Sequence, residues 1–110
     1  MKIEKSKLQD ISGTKYTAQE NGKEIGRVYL YILKNDLHEK PFALMEDLFV
    51  EEEHRGKGTG KALIHAIIDE VKIQGCYKLI ATSRHGREKV HKLYKNFGFK
   101  NWGTEFRMDF

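Results

Sequence analysis

Two periods run through the apolar positions of the chain, and they change over near its middle. Up to residue 50 the pattern is that of strands. Residues 15–20 and 23–33 flank Asn21-Gly22, a pair that favours a two-residue hairpin turn. The second of these strands, with Val28, Tyr29, Leu30, Tyr31, Ile32 and Leu33, is apolar on both faces, so it is expected in the middle of a sheet or covered on both sides. Residues 42–50 are again apolar, interrupted by Glu46 and Asp47. The period then lengthens. Leu63, Ile64, Ile67, Ile68 and Val71 recur at helical spacing, with Lys61, His65, Asp69 and Lys72 opposite them and Gly75 as the stop. Residues 77–82 predict a short strand, and strand–helix–strand order implies a parallel pair joined by a right-handed crossover. A second helix over 87–96 carries Val90, Leu93, Tyr94 and Phe97 on one face and ends at Phe97-Gly98. Phe106, Met108 and Phe110 alternate with Arg107 and Asp109, which predicts a half-buried last strand. Residues 1–12 hold Ile3, Leu8 and Ile11 in no clear period and fit either a short edge strand or an arm.

This order of strands and helices reads as an α/β (α+β) fold, and a length of 110 residues makes residues 1–110 one domain. A chain of this length buries roughly two-thirds of its unfolded surface, enough for one modest core. No apolar run nears the roughly 20 residues that span a bilayer, and the first residues lack a signal-peptide core. One cysteine, Cys76, forms no intrachain disulfide, so a cytoplasmic protein is expected. The net charge of +4 permits polyanion binding without requiring it, because 16 acidic residues are interspersed with 20 basic ones. The basic residues are dispersed, and no nucleic-acid motif appears. The five histidines show no metal-binding spacing, so no metal is expected.

The informative chemistry lies where the period changes. Arg55-Gly56-Lys57-Gly58-Thr59-Gly60-Lys61 places three glycines at the start of the first helix. Glycine allows tight turns and close backbone approach. A helix N-terminus offers unpaired N–H groups and partial positive charge, so the combination suits a phosphate. A Walker A motif fails here: it requires glycine at Arg55 and Ser or Thr at Ala62. The dinucleotide pattern G-x-G-x-x-G fails at Lys61. The pattern [R/Q]-x-x-G-x-[G/A] is met by Arg55, Gly58 and Gly60. It resembles the acyl-CoA pyrophosphate motif of the GNAT N-acetyltransferase superfamily. Downstream, Leu93-Tyr94-Lys95-Asn96-Phe97-Gly98-Phe99 is similar to that superfamily's "LYxxxGF" ending. The likeness covers roughly residues 42–102.

The resemblance implies a GNAT-like mixed, twisted sheet with flanking helices, whose two central parallel strands splay apart to admit acetyl-CoA. The expected reaction is direct attack of a primary amine, small or protein-borne, on the thioester. The implied cofactor contacts are backbone groups of Leu48, Phe49 and Val50 for the pantetheine arm. Arg55, Gly56, Lys57, Gly58, Thr59, Gly60 and Lys61 would hold the pyrophosphate. Tyr94 aligns with the usual general acid, although on its helix's apolar face it would equally serve packing. Members usually carry two helices between their first two strands. Their near absence here implies a minimal version with a reduced acceptor wall, which a second subunit would complete. Where a small residue and an Asn are usual, this chain has Val90 and Arg87.

Glu46 stands among apolar neighbours, where a raised pKa would suit a base that takes a proton from the amine. Asp47 is the alternative, as a residue holding backbone. Glu46-Asp47-Leu48-Phe49-Val50 also looks like the corresponding segment of spermidine/spermine acetyltransferases. Glu51, Glu52 and Glu53 would extend it as an acidic approach or simply face solvent. Trp102 and the pair Tyr29/Tyr31 read as core or dimer surface. The rival function is a non-catalytic module that binds CoA or another polyanion.

Overall fold

The computed structural model describes residues 1–110. Strand β1 (Ile11–Glu20) turns at Asn21-Gly22 into β2 (Lys23–Leu33), and β3 (Phe42–Val50) follows. Helix α1 (Thr59–Ile73) leads to β4 (Leu79–Ala81), and α2 (Glu88–Asn96) comes last. The sheet order is β1-β2-β3-β4, antiparallel except for the parallel pair β3/β4. Asn21 and Gly22 both have positive φ (53° and 77°), and Glu20 faces Lys23. This is the two-residue turn whose twist matches that of its strands.

The core lies on one face of the sheet. Val28, Leu30, Ala43 and Met45 from the strands meet Leu63, Ile64, Ile67 and Val71 of α1. Leu93, Tyr94, Phe97 and Phe99, on and just after α2, pack against the same cluster. Gly26 lets α1 come close: a Cβ there would lie 3.1 Å from the Phe49 carbonyl oxygen and 3.3 Å from both Leu63 and Thr59 side chains. Both helices end in the same way. Gly75 (φ 69°) and Gly98 (φ 99°) take left-handed backbone. The next N–H, of Cys76 or Phe99, reaches back five residues to Val71 or Tyr94 at 3.1 Å, which is the Schellman arrangement.

Two open sequence readings are decided by the structure, and a third expectation is corrected. Strand β2 is central by pairing, but it is covered on one face only; Tyr29 is half-buried and Tyr31 exposed on the other. Residues 11–14 join β1 despite their weak pattern, because β2 supplies a partner for each of them. Residues 100–110 form no strand, and Trp102, Phe106, Met108 and Phe110 are exposed. Alternation sets which side chains share a face. It does not supply the neighbouring strand. Residues 1–10 also lie free of the sheet. These two arms give a radius of gyration of 16.1 Å, against about 13 Å for a compact chain of this length.

Candidate functional site

The parallel pair β3/β4 is short. It runs from Ala43↔Leu79 to Met45↔Ala81 and stops there. Beyond Met45, β3 keeps only its β2 partner, so residues 46–50 have one free edge. A bulge sits at the point of departure. Arg27 faces Phe49 and Tyr29 faces Glu46, so β3 holds one residue more than β2. Asp47 takes positive φ (54°), an uncommon conformation outside glycine. The bulge restarts the alternation: Ala43 and Met45 point to the core before it, and Leu48 and Val50 pack there after it.

After β3, a 3-10 turn at Glu52–His54 leads into the glycine loop. Arg55 is anchored through one nitrogen. Its Nε donates to the Val50 carbonyl at 2.8 Å, and its guanidinium lies 5.4 Å from the Phe49 ring. His54 Nδ1 lies 3.2 Å from a Glu20 carboxylate oxygen, linking the loop to the hairpin. Gly56 and Gly58 have positive φ (75° and 89°). The first helical bond of α1 is from the Ala62 N–H to the Gly58 carbonyl, at 3.0 Å. No backbone carbonyl accepts from any N–H of residues 56–61. A run of unpaired N–H groups is thus presented at the positive end of α1, with Lys57 and Lys61 exposed beside it. Gly60 differs from its neighbours: its φ is not positive, and a Cβ there would meet only Val50, at 3.8 Å. Its small size is not required by this chain's own packing.

Tyr94 is half-buried on α2. Burial pushes its phenol above the ordinary value of 10, Arg87 pulls it partly down, and the Glu46 carboxylate pushes it up again. Glu46 is raised above 4.5, first by burial and then by the charges of Asp47 and of Glu105 in the C-terminal segment. The fold therefore brings Glu46 within electrostatic reach of Tyr94, beside the gap between β3 and β4. Leu48, Phe49 and Val50 line β3 just beyond, and the loop of Arg55, Gly56, Lys57, Gly58, Thr59, Gly60 and Lys61 follows. Glu51, Glu52 and Glu53 are exposed, and no group of three or more metal-ligating side chains occurs.

Sequence reasoning missed a groove on the uncovered face of the sheet. It is open to solvent, spans about 460 Å³ and is lined by Lys15, Glu24, Arg27, Tyr29, Tyr31 and Asp47. The alternation of Arg27, Tyr29 and Tyr31 along β2 was its signal, masked by the apolar residues between them.

The chain matches the model of the "Acetyltransferase (GNAT) family" over residues 3–99. It is 30% identical over 105 residues to human N-acetyltransferase 8B, covering 94% of this chain and 46% of that protein. To glucosamine 6-phosphate N-acetyltransferase of Trypanosoma brucei brucei it is 37% identical over 65 residues, 59% of this chain and 42% of that one. The structure of a putative acetyltransferase from Agrobacterium tumefaciens superposes with a TM-score of 0.83 at 28% identity, covering 88% of this chain and 68% of the other. The chain spans about half the length of these two curated relatives.

Proposed function

The chain belongs to the acetyltransferase (GNAT) family, and from that premise we propose that residues 1–110 form one N-acetyltransferase domain using acetyl-CoA. The observation that carries this reading is the run of unpaired N–H groups over residues 56–61, opening beside the point where β3 leaves β4. The pyrophosphate is held by N–H groups of Gly56, Lys57, Gly58, Thr59, Gly60 and Lys61, with the ammonium groups of Lys57 and Lys61 adding charge. Arg55 keeps the loop on the end of β3. Backbone groups of Leu48, Phe49 and Val50 pair with the pantetheine arm along the free edge. When bound, acetyl-CoA supplies the activated acyl group.

The amine must be neutral to attack. Glu46, with its raised pKa, takes the amine proton directly or through water. Tyr94 keeps its proton at neutral pH and gives it to the departing thiolate, whose ordinary pKa is about 8.5. Candidate acceptors come from two likenesses. The segment of residues 46–50 suggests a polyamine, and the relative named for glucosamine 6-phosphate suggests an amino sugar. A second subunit supplies what the bare sheet face lacks. No helix is long and apolar enough to cross a membrane, and the single cysteine fits a cytoplasmic setting.

Calorimetry with acetyl-CoA, followed by a thiol-release assay over an amine panel, tests this. Saturable binding and amine-dependent release are expected. The rival reading, a polyanion-binding module, predicts no transfer to any amine and binding that falls steeply with salt.

A further inference from the structure

The groove on the bare sheet face holds four charges, and they are not equivalent. Lys15 Nζ and Glu24 Oε1 pair with each other at 3.1 Å. Arg27 and Asp47, of opposite sign, have no ion-pair partner. The Arg27 guanidinium carbon lies over the Phe49 ring, 4.9 Å from its centroid, and no hydrogen bond within the chain takes its donors. Tyr31 lies over Gly13 on β1, where a Cβ would come within 3.1 Å of the ring, so the glycine makes room for one aromatic wall. Tyr29 pairs in register with Lys15 on one side and with Glu46 on the other. The groove thus runs across the sheet as far as Asp47, the neighbour in sequence of the proposed base Glu46. Its volume suits a small molecule.

We propose that this groove is the acceptor subsite and that it selects an amine that also carries an apolar or aromatic body and an anionic group. This rests on the N-acetyltransferase reading and adds the class of acceptor to it. The ammonium group meets Asp47, next to Glu46. The body lies against Tyr29 and Tyr31. The anion, a carboxylate or a phosphate-like group, takes the free donors of Arg27, whose planar fork binds either in bidentate fashion. Of the two acceptors named above, the groove counts against the polyamine, because its further positive charges would meet Arg27.

Three probes differing only in the anion decide it: phenethylamine, phenylalanine, and the phosphonate analogue of phenylalanine. Binding is followed through the ring resonances of Tyr29 and Tyr31, with and without CoA. The two anionic probes are expected to bind at least about tenfold more tightly than phenethylamine, the scale of one charge-assisted hydrogen bond. Their relative order separates carboxylate from phosphate chemistry. Arg27→Gln should abolish the difference, and Asp47→Asn should weaken all three alike, since Asn tolerates the positive φ. Equal affinity for phenethylamine and phenylalanine in the wild-type protein overturns the proposal, whatever the variants do. So does tighter binding of spermidine, or ring resonances that do not respond at tens of millimolar probe. Acetyl-CoA affinity, measured in parallel, reports on the acetyltransferase reading alone.

Discussion

Tyr94 and Phe99 are joined twice at the end of α2. The Phe99 N–H donates to the Tyr94 carbonyl at 3.1 Å, and their ring centroids lie 5.3 Å apart. The five-residue return goes through Gly98, whose φ of 99° admits little but glycine. The same seven residues that look like a catalytic motif are therefore also a helix stop. The Tyr94 ring has a structural task that its hydroxyl does not share.

That division makes Tyr94→Phe a clean variant. Ring, cap and packing stay, so denaturant midpoints should change little. If the hydroxyl protonates the thiolate, kcat should fall about 10²–10⁴-fold with acetyl-CoA affinity preserved. Gly98→Ala should do the reverse in kind. It should destabilise the fold by about 1 kcal/mol or more, read as a lower denaturant midpoint. A Tyr94→Phe enzyme with normal kcat, where chemistry limits the rate, would leave Tyr94 a packing residue.

Glu46 gives a prediction with opposite signs for stability and rate. Its pKa is raised in the folded chain, so the folded state binds the proton more tightly than the unfolded one. Stability linked to Glu46 is then full at pH below the ordinary carboxylate value and is lost as pH rises through the raised one. Glu46→Gln should make the protein more stable at neutral pH, with the gain disappearing in acid. The same variant should lose activity and the low-pH limb of its rate profile. Thermal melts between pH 3 and 8, alongside kcat, check both signs.

The rate profile of the wild-type chain should be displaced towards alkali at both ends. A base must be ionised and an acid protonated, and both Glu46 and Tyr94 titrate above their ordinary values. Activity should rise through the raised carboxyl pKa and fall only at a pH beyond the ordinary phenol range. In Tyr94→Phe the upper limb should flatten.

The glycines of the loop should separate by backbone need. Acetyl-CoA at a hundredfold excess over Kd adds about 2.7 kcal/mol, which raises Tm by on the order of 10 °C in a domain of this size. Gly60→Ala should keep that shift and leave the free protein's Tm nearly unchanged, because its Cβ meets nothing closer than 3.8 Å. Gly58→Ala forces a side chain onto φ 89°. It should lower the free protein's stability by about 1 kcal/mol and shrink the CoA shift. Equal behaviour of the two variants in thermal melts would disconnect the loop's geometry from binding.

Much of this protein is local and therefore legible in one dimension. Asn21-Gly22 determined its hairpin, because two consecutive positive φ values suit few other pairs. The stripe from Leu63 to Val71 determined the buried face of α1, and Gly75 and Gly98 determined where the helices stop. The order Arg55, Gly58, Gly60, then Tyr94 pointed to the family, because cofactor contacts made by backbone leave their mark as glycine spacing. What the tertiary structure decided is what depends on a neighbour. Whether β2 is covered on one face or two depends on which helices exist elsewhere in the chain. Whether residues 106–110 form a strand depends on a partner edge, and alternation alone supplies none. Arg55 is legible in sequence as part of the glycine motif; only the folded chain shows that its Nε is held by the Val50 carbonyl. The charges of Arg27 and Asp47 lie twenty residues apart in sequence and share one groove only because a bulge in β3 turns Asp47 into it. A sequence carries each charge; only the folded sheet determines which charges find partners within the chain and which stay free for a ligand.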